Sequence, residues 1–401
     1  MRIVILGGAG AMGSTAVKDL ALNDTFDEIV VGDINIDLAR RLAESVNSAK
    51  VSALQVDVTD ADSLNQILKG ATIVLNFVGP YYKFAPPIIR ACMEAKVHYV
   101  DICDDYDAAK IILDMDQEVK EAGITVLTGM GTSPGITNIL TRMGMDELDV
   151  TKEVDTIWVM GEPEVGSAIL YHFFHSCSGL VPGFDKGEHT LIQPLSEQNA
   201  MEVDFPEPLG NVKVYDIGHP EPITIPHFYP DVERVTNKGA VLPEKVFDVF
   251  RKLVDLGFDS TKPIEFNGTT ISPRDFIVRY LQENKELLAF DEPLGLGGLR
   301  VIVKGVKDGK ELSYVYTTVS SETTAESVAI PAVVGAELIA KGKVESLGVI
   351  APEVLHPIDV FKGLGNRKKI SHDSVNSGLI VQKIMSDGKI ETIRAGRPIL
   401  V

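Results

Sequence analysis

The chain has 401 residues, 45% of them hydrophobic, which is enough for two domains with sizeable cores. Its formal net charge of −19 argues against nucleic acid and anionic membrane as partners and leaves a small molecule as the expected ligand. Cys92, Cys103 and Cys177 show no C-x-x-C spacing, no signal peptide precedes the first strand, and apolar runs such as Val328–Ala336 are short and broken by Pro331, so a soluble cytoplasmic protein is expected.

The first element is a strand, Arg2–Leu6, that runs into Gly7-Gly-Ala-Gly-Ala-Met-Gly13. This fits G-x-G-x-x-G with glycines at 8, 10 and 13. Gly8 allows the tight turn, Gly10 the approach of a pyrophosphate, and Gly13 close packing of the following helix. That helix, about Met12–Leu22, presents its N-terminal N–H groups to the phosphates, with Ala11 and Met12 at its start. A second strand, Glu28–Asp33, ends on a carboxylate 20 residues beyond Gly13, where an acid accepts from the adenosine ribose. Asp33, followed by Ile34, argues for NAD, because it would repel a ribose phosphate. Arg40 and Arg41 keep NADP open.

The pattern continues with a strand at Lys50–Asp57, a helix at Ala61–Lys69, a buried strand at Ala71–Val78 and a helix at about Ala85–Ala95. A strand at Val97–Asp101, a helix at about Tyr106–Ala122 and a strand at Ile124–Thr128 close the series. Strands separated by helices imply a parallel, doubly wound sheet. After Gly131 the rhythm changes to longer loops, prolines and strand pairs, with a hairpin signal at Lys307-Asp-Gly-Lys310. We expect a dinucleotide-binding domain over 1–132, an α+β substrate and dimerisation domain over 133–325, and a segment, 326–401, that returns to the first domain.

Four constellations carry candidate chemistry. Asn76-Phe-Val-Gly-Pro-Tyr-Tyr82 follows the fourth strand at the ligand-facing sheet edge, so Asn76, Gly79 and Pro80 are read as shaping the nicotinamide pocket and Tyr81 as a proton-transfer candidate. Asp57 and Val58 fall near the adenine. Asp101 ends the fifth strand, where its carboxylate can serve the active site or structural hydrogen bonds; Asp104 and Asp105 read as helix caps. In Gly129–Asn138, Ser133-Pro134 reads as a helix start, and the segment is either a site where Thr132 and Ser133 bind a substrate carboxylate or an ordinary glycine-rich joint between domains. In the second domain His219 suits a base near neutral pH and Arg234 a bidentate carboxylate partner, with Lys238 a surface ion pair. His172 and His175 share a helix face without a third ligand, so no metal is expected.

Taken in this order, Gly8–Gly13, Val78–Tyr81 with Ala91-Cys92 and His98–Asp101, Gly129–Asn138, Asp204–Gly210 through His219–Glu221 to Pro226, and Gly348–Glu353 resemble the saccharopine dehydrogenase family, including its lysine 6-dehydrogenase branch. The resemblance implies a Rossmann doubly wound parallel sheet, a second α+β substrate domain and a C-terminal return. It implies an NAD- or NADP-dependent oxidoreductase of lysine or other amino-acid metabolism, acting on a C–N bond through an imine as a homodimer. Alternatives are an enzyme of the same fold acting on a polyamine, opine or carbonyl, and a catalytically silent nucleotide sensor.

Overall fold

A computed structural model describes residues 1–161, 167–287, 295–367 and 378–397. In chain order the elements begin β1 (Arg2–Leu6), α1 (Ala11–Ala21), β2 (Glu28–Asp33), α2 (Ile36–Val46), β3 (Val51–Gln55), α3 (Ala61–Leu68) and β4 (Ile73–Asn76). Then come α4 (Tyr81–Ala95), β5 (His98–Asp101), α5 (Tyr106–Asp114), α6 (Asp116–Ala122), β6 (Thr125–Leu127) and α7 (Ile136–Asp146). The middle of the chain holds β7 (Val150–Met160), α8 (Ser167–Ser176), β8 (Val181–Asp185), β9 (Glu188–Ile192), β10 (Met201–Asp204), β11 (Asn211–Asp216), α9 (Glu221–Phe228) and β12 (Arg234–Val241). It continues through α10 (Lys245–Asp255), β13 (Ile264–Phe266), β14 (Thr269–Ile271), α11 (Pro273–Glu283), β15 (Gly297–Lys307) and β16 (Lys310–Ser320). Last are α12 (Thr324–Ala340), β17 (Gly348–Ile350), α13 (Pro357–Gly365), β18 (Leu379–Met385) and β19 (Ile390–Arg397).

The described residues form two compact units, those of 1–143 with 325–367, and those of 144–324 with 378–397. The first carries a seven-stranded sheet in the order β17-β6-β5-β4-β1-β2-β3, every pairing parallel. Ile3–Leu6, Ile29–Val31 and Ile73–Leu75 are buried, as expected of strands covered on both faces. Strand order reverses between β1 and β4, which sets the ligand crevice beyond Leu6 and Asn76. This is a Rossmann doubly wound sheet, as the alternation of elements implied.

Local differences have local causes. The helix expected from Ala85 starts at Tyr81, behind Pro80, and contains Pro86 and Pro87. The helix expected over 106–122 divides at Met115 into α5 and α6. The helix expected at Ser133-Pro134 begins only at Ile136, because Gly135 holds φ +130, outside the helical region. No helix among the described residues is long and apolar enough to cross a membrane.

A buried ion cluster fastens the returning segment to α1. Arg367 pairs with Asp19 of α1 and, at 2.8 Å, with Glu337 of α12. Burial pushes Asp19 up to about 6, against the pull of Arg367 and with a further push from Glu337. A carboxyl raised in the folded state keeps a proton there that the unfolded chain has already released. Its contribution to stability is therefore complete below about pH 4 and is lost as pH rises through about 6. We expect the wild type to gain on the order of 2–3 kcal/mol relative to Asp19→Asn between pH 7 and pH 4. Urea denaturation at the two pH values checks this, and a pH-independent difference would exclude it.

The second unit is built on a ten-stranded mixed sheet with the main path β10-β11-β12-β7-β15-β16-β18-β19, and with β8 and β9 branching from β12. Only β7 and β12 run parallel to each other within it; their partners are antiparallel. The core packs Phe173, Phe174, Phe247 and Phe250 beneath Ile157, Val159 and Val214. β18 and β19 correct the expected return of 326–401. Alternation in Leu379-Ile-Val381 buries Leu379 and Val381, so β18 extends the second sheet from the edge of β16.

Candidate functional site

In the first unit the site starts at the turn after β1. Gly7 takes φ +68, so the left-handed residue of the turn is a glycine just outside the three that the spacing singles out. Gly8 N donates to Gly32 O at 3.1 Å and Gly10 N to Gly7 O at 3.1 Å, which pins the loop to β2 and to itself. A Cβ on Gly13 would lie 2.3 Å from Gly7 O, so α1 rests directly on the turn. Gly10 and Ala11 are exposed, Met12 is half-buried, and Gly10 caps α1 with no side-chain hydrogen bond. The first N–H groups of α1 are thus left to a ligand or water, and the glycine cradle fits a pyrophosphate.

Asp33 ends β2 half-buried. Its Oδ2 accepts from Ala9 N at 3.0 Å and its Oδ1 from Asn35 N at 2.9 Å, so the carboxylate also holds the glycine loop. Ile34 beside it is 67% exposed, a flat apolar surface next to the carboxylate. Asp57 accepts from the Thr59 hydroxyl and N–H, which holds it below the usual carboxylate range, and Val58 is half-buried beside it. Arg40 and Arg41 are exposed on α2.

Across the ends of β4, β5 and β6 runs a buried polar chain. Asn76 Nδ2 donates to Tyr99 Oη at 2.9 Å, and Tyr99 Oη donates to Asp101 Oδ2 at 2.9 Å. Asp101 Oδ1 accepts from Cys103 N (3.0 Å), Thr128 Oγ1 (3.0 Å) and Gly129 N (2.8 Å). Burial pushes Asp101 up to about 6, and these donors oppose it. Asp101 therefore ties three strand ends together. Asn76 Oδ1 accepts from Val78 N at 3.0 Å and so shapes the loop to Gly79 and Pro80.

Tyr81 opens α4, its N–H donating to Asp105 Oδ2 at 2.9 Å. Burial, followed by the charges of Asp101, Asp104, Cys103 and Asp105, pushes its phenol well above the ordinary value. The phenol keeps its proton at neutral pH and can donate it in a hydrogen bond. Thr132 donates to Ser327 O at 2.7 Å, and Ser133 is half-buried next to it.

In the second unit His219 is buried between β11 and α9, with Nδ1 3.4 Å from Glu221 Oε2. Its ring lies 5.6 Å from Trp158 and 5.4 Å from His172, edge-on to the latter. Arg234 sits in β12 between two acids, 2.8 Å from Glu153 and 2.9 Å from Asp155. Its charge is matched within its own sheet, which weighs against the carboxylate-binding role expected of it. Lys238, expected at the surface, is buried and paired with Asp216 at 2.5 Å. Tyr99 and Glu221 lie in segments that the sequence marks but gives no role, and Trp158 does not stand out; the i, i+2 spacing of Tyr99 and Asp101 on a strand, and the fact that Trp158 is the only tryptophan, were the signals available.

A doubly wound sheet with a glycine cradle and an acid at the end of β2 defines a dinucleotide-binding fold. Comparison with known proteins agrees with this. Residues 3–127 match the saccharopine dehydrogenase NADP binding domain and residues 131–368 the saccharopine dehydrogenase C-terminal domain. The chain belongs to the saccharopine dehydrogenase family. It is 24% identical to carboxyaminopropylagmatine dehydrogenase of Synechocystis sp., covering 94% of this chain and 98% of that protein. It is 26% identical to carboxynorspermidine synthase of Vibrio alginolyticus over 89% of this chain and 93% of that one. Apo saccharopine dehydrogenase (L-Glu forming) from Saccharomyces cerevisiae shares the fold, with a TM-score of 0.66 at 18% identity over 94% of this chain and 99% of that one.

Proposed function

We propose that this protein, as a homodimer, oxidises or forms the C–N bond of a carboxylated amine of the polyamine-precursor class with a nicotinamide dinucleotide. The observation that carries this reading is the end-to-end similarity to two proteins named for carboxylated polyamine compounds. It replaces lysine or saccharopine as the first choice of substrate and keeps the C–N chemistry. When bound, the nicotinamide gives or takes the hydride at the carbon bearing nitrogen.

The residues divide the remaining work. The Gly8–Gly13 turn and the start of α1 hold the pyrophosphate, and Asp33 accepts from the ribose. The neutral Tyr81 phenol donates a hydrogen bond or proton to the substrate. In the first unit Ser133 is the candidate for the substrate carboxylate, the Thr132 hydroxyl being given to Ser327 O; in the second unit His219 is the candidate base for the proton that the amine nitrogen must lose before an imine forms. Arg234 is left out of the site. The first test is dinucleotide oxidation by pure protein given an amine, agmatine or 1,3-diaminopropane, together with an amino-acid semialdehyde. Turnover only with lysine or saccharopine would overturn the substrate class.

Asp33 favours NAD, although the family model is described as NADP binding. Asp33→Ala is expected to weaken NAD by about tenfold, the loss of a charge-assisted hydrogen bond, and NADP by less. Titration calorimetry with each dinucleotide measures the ratio. An unchanged ratio would remove Asp33 from cofactor choice.

A further inference from the structure

Trp158 is held as a fixed platform within the second sheet. Its Nε1 donates to Asn237 Oδ1 at 3.1 Å, and Asn237 Nδ2 donates to Thr156 Oγ1 at 3.0 Å. The Thr156 hydroxyl donates in turn to Thr236 O at 3.0 Å, so the indole is tied through three residues to the backbone of β12. Directly opposite Trp158 in the β7–β12 register is Gly239. A Cβ there would fall 2.3 Å from the indole Cζ2, so the ring lies flat over the only residue type that leaves it room. Despite these ties the ring is only half-buried.

Around it stand groups suited to a cation. His219 lies tilted at 33° to the indole, and His172 packs edge-on against His219 at 5.4 Å. Glu221, buried, places a carboxylate 3.4 Å behind His219 Nδ1. His219 Nδ1 is buried without a hydrogen bond to Glu221, and a neutral imidazole offers one ring nitrogen as an acceptor for an ammonium or guanidinium N–H. The indole face is the strongest aromatic partner for such a cation.

We infer that Trp158 is a specificity-determining residue, the surface on which the cationic end of the substrate, an ammonium or guanidinium, lies beside His219. This rests on the reading of the reaction given above, which a carboxylated amine satisfies and a plain hydroxy acid does not.

Because Trp158 is the only tryptophan, the intrinsic indole emission of the full chain reports on this position alone. Agmatine and 1,3-diaminopropane are expected to change that emission saturably, and the uncharged 1,3-propanediol is not. Trp158→Ala should raise KM for the cationic substrate roughly tenfold or more, the scale of a desolvated cation–π contact, with the dinucleotide KM unchanged. Trp158→Phe should recover most of that loss and guards against a folding defect in the alanine variant. Emission indifferent to both amines, in a protein that still turns over a carboxylated amine, would overturn this inference and leave the proposed reaction standing. A saturable response in a protein that turns over no carboxylated amine would keep the cation platform and overturn the reaction.

Discussion

Gly13→Ala is expected to abolish measurable dinucleotide binding, a loss of at least about a hundredfold, or roughly 3 kcal/mol. The added Cβ would meet Gly7 O at 2.3 Å, Gly8 Cα at 2.6 Å and Gly8 C at 2.9 Å, all backbone atoms. They cannot yield without breaking the hydrogen bonds from Gly8 N to Gly32 O and from Gly10 N to Gly7 O that set the turn. The helix start would then move away from the position where its N–H groups meet the phosphates. Gly10→Ala makes the informative contrast. The nearest atom to a Cβ at Gly10 is Gly7 O, at 3.3 Å, so the fold should survive while the methyl occupies the space a pyrophosphate needs. Calorimetry paired with thermal unfolding separates the two. Normal dinucleotide affinity in Gly10→Ala would mean that the phosphates lie elsewhere.

Asp101→Ala should destabilise the first unit by about 4 kcal/mol or more, since four donors lose their acceptor and a buried orphan costs about 1–3 kcal/mol each. Those donors are Cys103 N, Gly129 N, Thr128 Oγ1 and Tyr99 Oη. Asp101→Asn keeps one oxygen and should recover much of the stability. We expect it to retain turnover within a few-fold, because the side chain is fully buried and its oxygens are engaged by the protein. Urea denaturation and steady-state rates on the same preparations decide the matter. A stable Asp101→Asn protein with turnover lowered a thousandfold would return Asp101 to proton transfer.

The first sheet was largely legible because its signals are local. A strand, three glycines and an acid 20 residues on all lie within one βαβ stretch, and Asn76 and Asp101 are marked by standing at strand ends. What was hidden depends on which strands become neighbours. The chain from Asn76 through Tyr99 to Asp101 exists because β4 lies against β5, and Thr128 and Gly129 join it because β6 comes next. Arg234 looks like a free cation until the register of β12 against β7 sets it beside Glu153 and Asp155. Trp158 over Gly239 is a product of the same register, across 81 residues of chain. The late start of α7 turned on the φ of Gly135, a backbone angle that Ser133-Pro134, read as a cap and first turn, did not announce. β18 was missed for a related reason: nothing local says which sheet a terminal hairpin will extend.

β17 completes the first sheet against β6, and the Thr125 hydroxyl beside it donates to Ser346 O, 221 residues further along the chain. On the ribosome this leaves the β6 edge bare until some 221 further residues have been made. At about 5–20 residues per second, that interval is on the order of 10–45 s. An unpaired parallel edge of Thr125-Val-Leu127 invites pairing with another nascent copy during the wait. The protein should thus lean on a holding chaperone during synthesis more than its finished stability would suggest, and a fragment ending at Met143 should aggregate where the full chain does not.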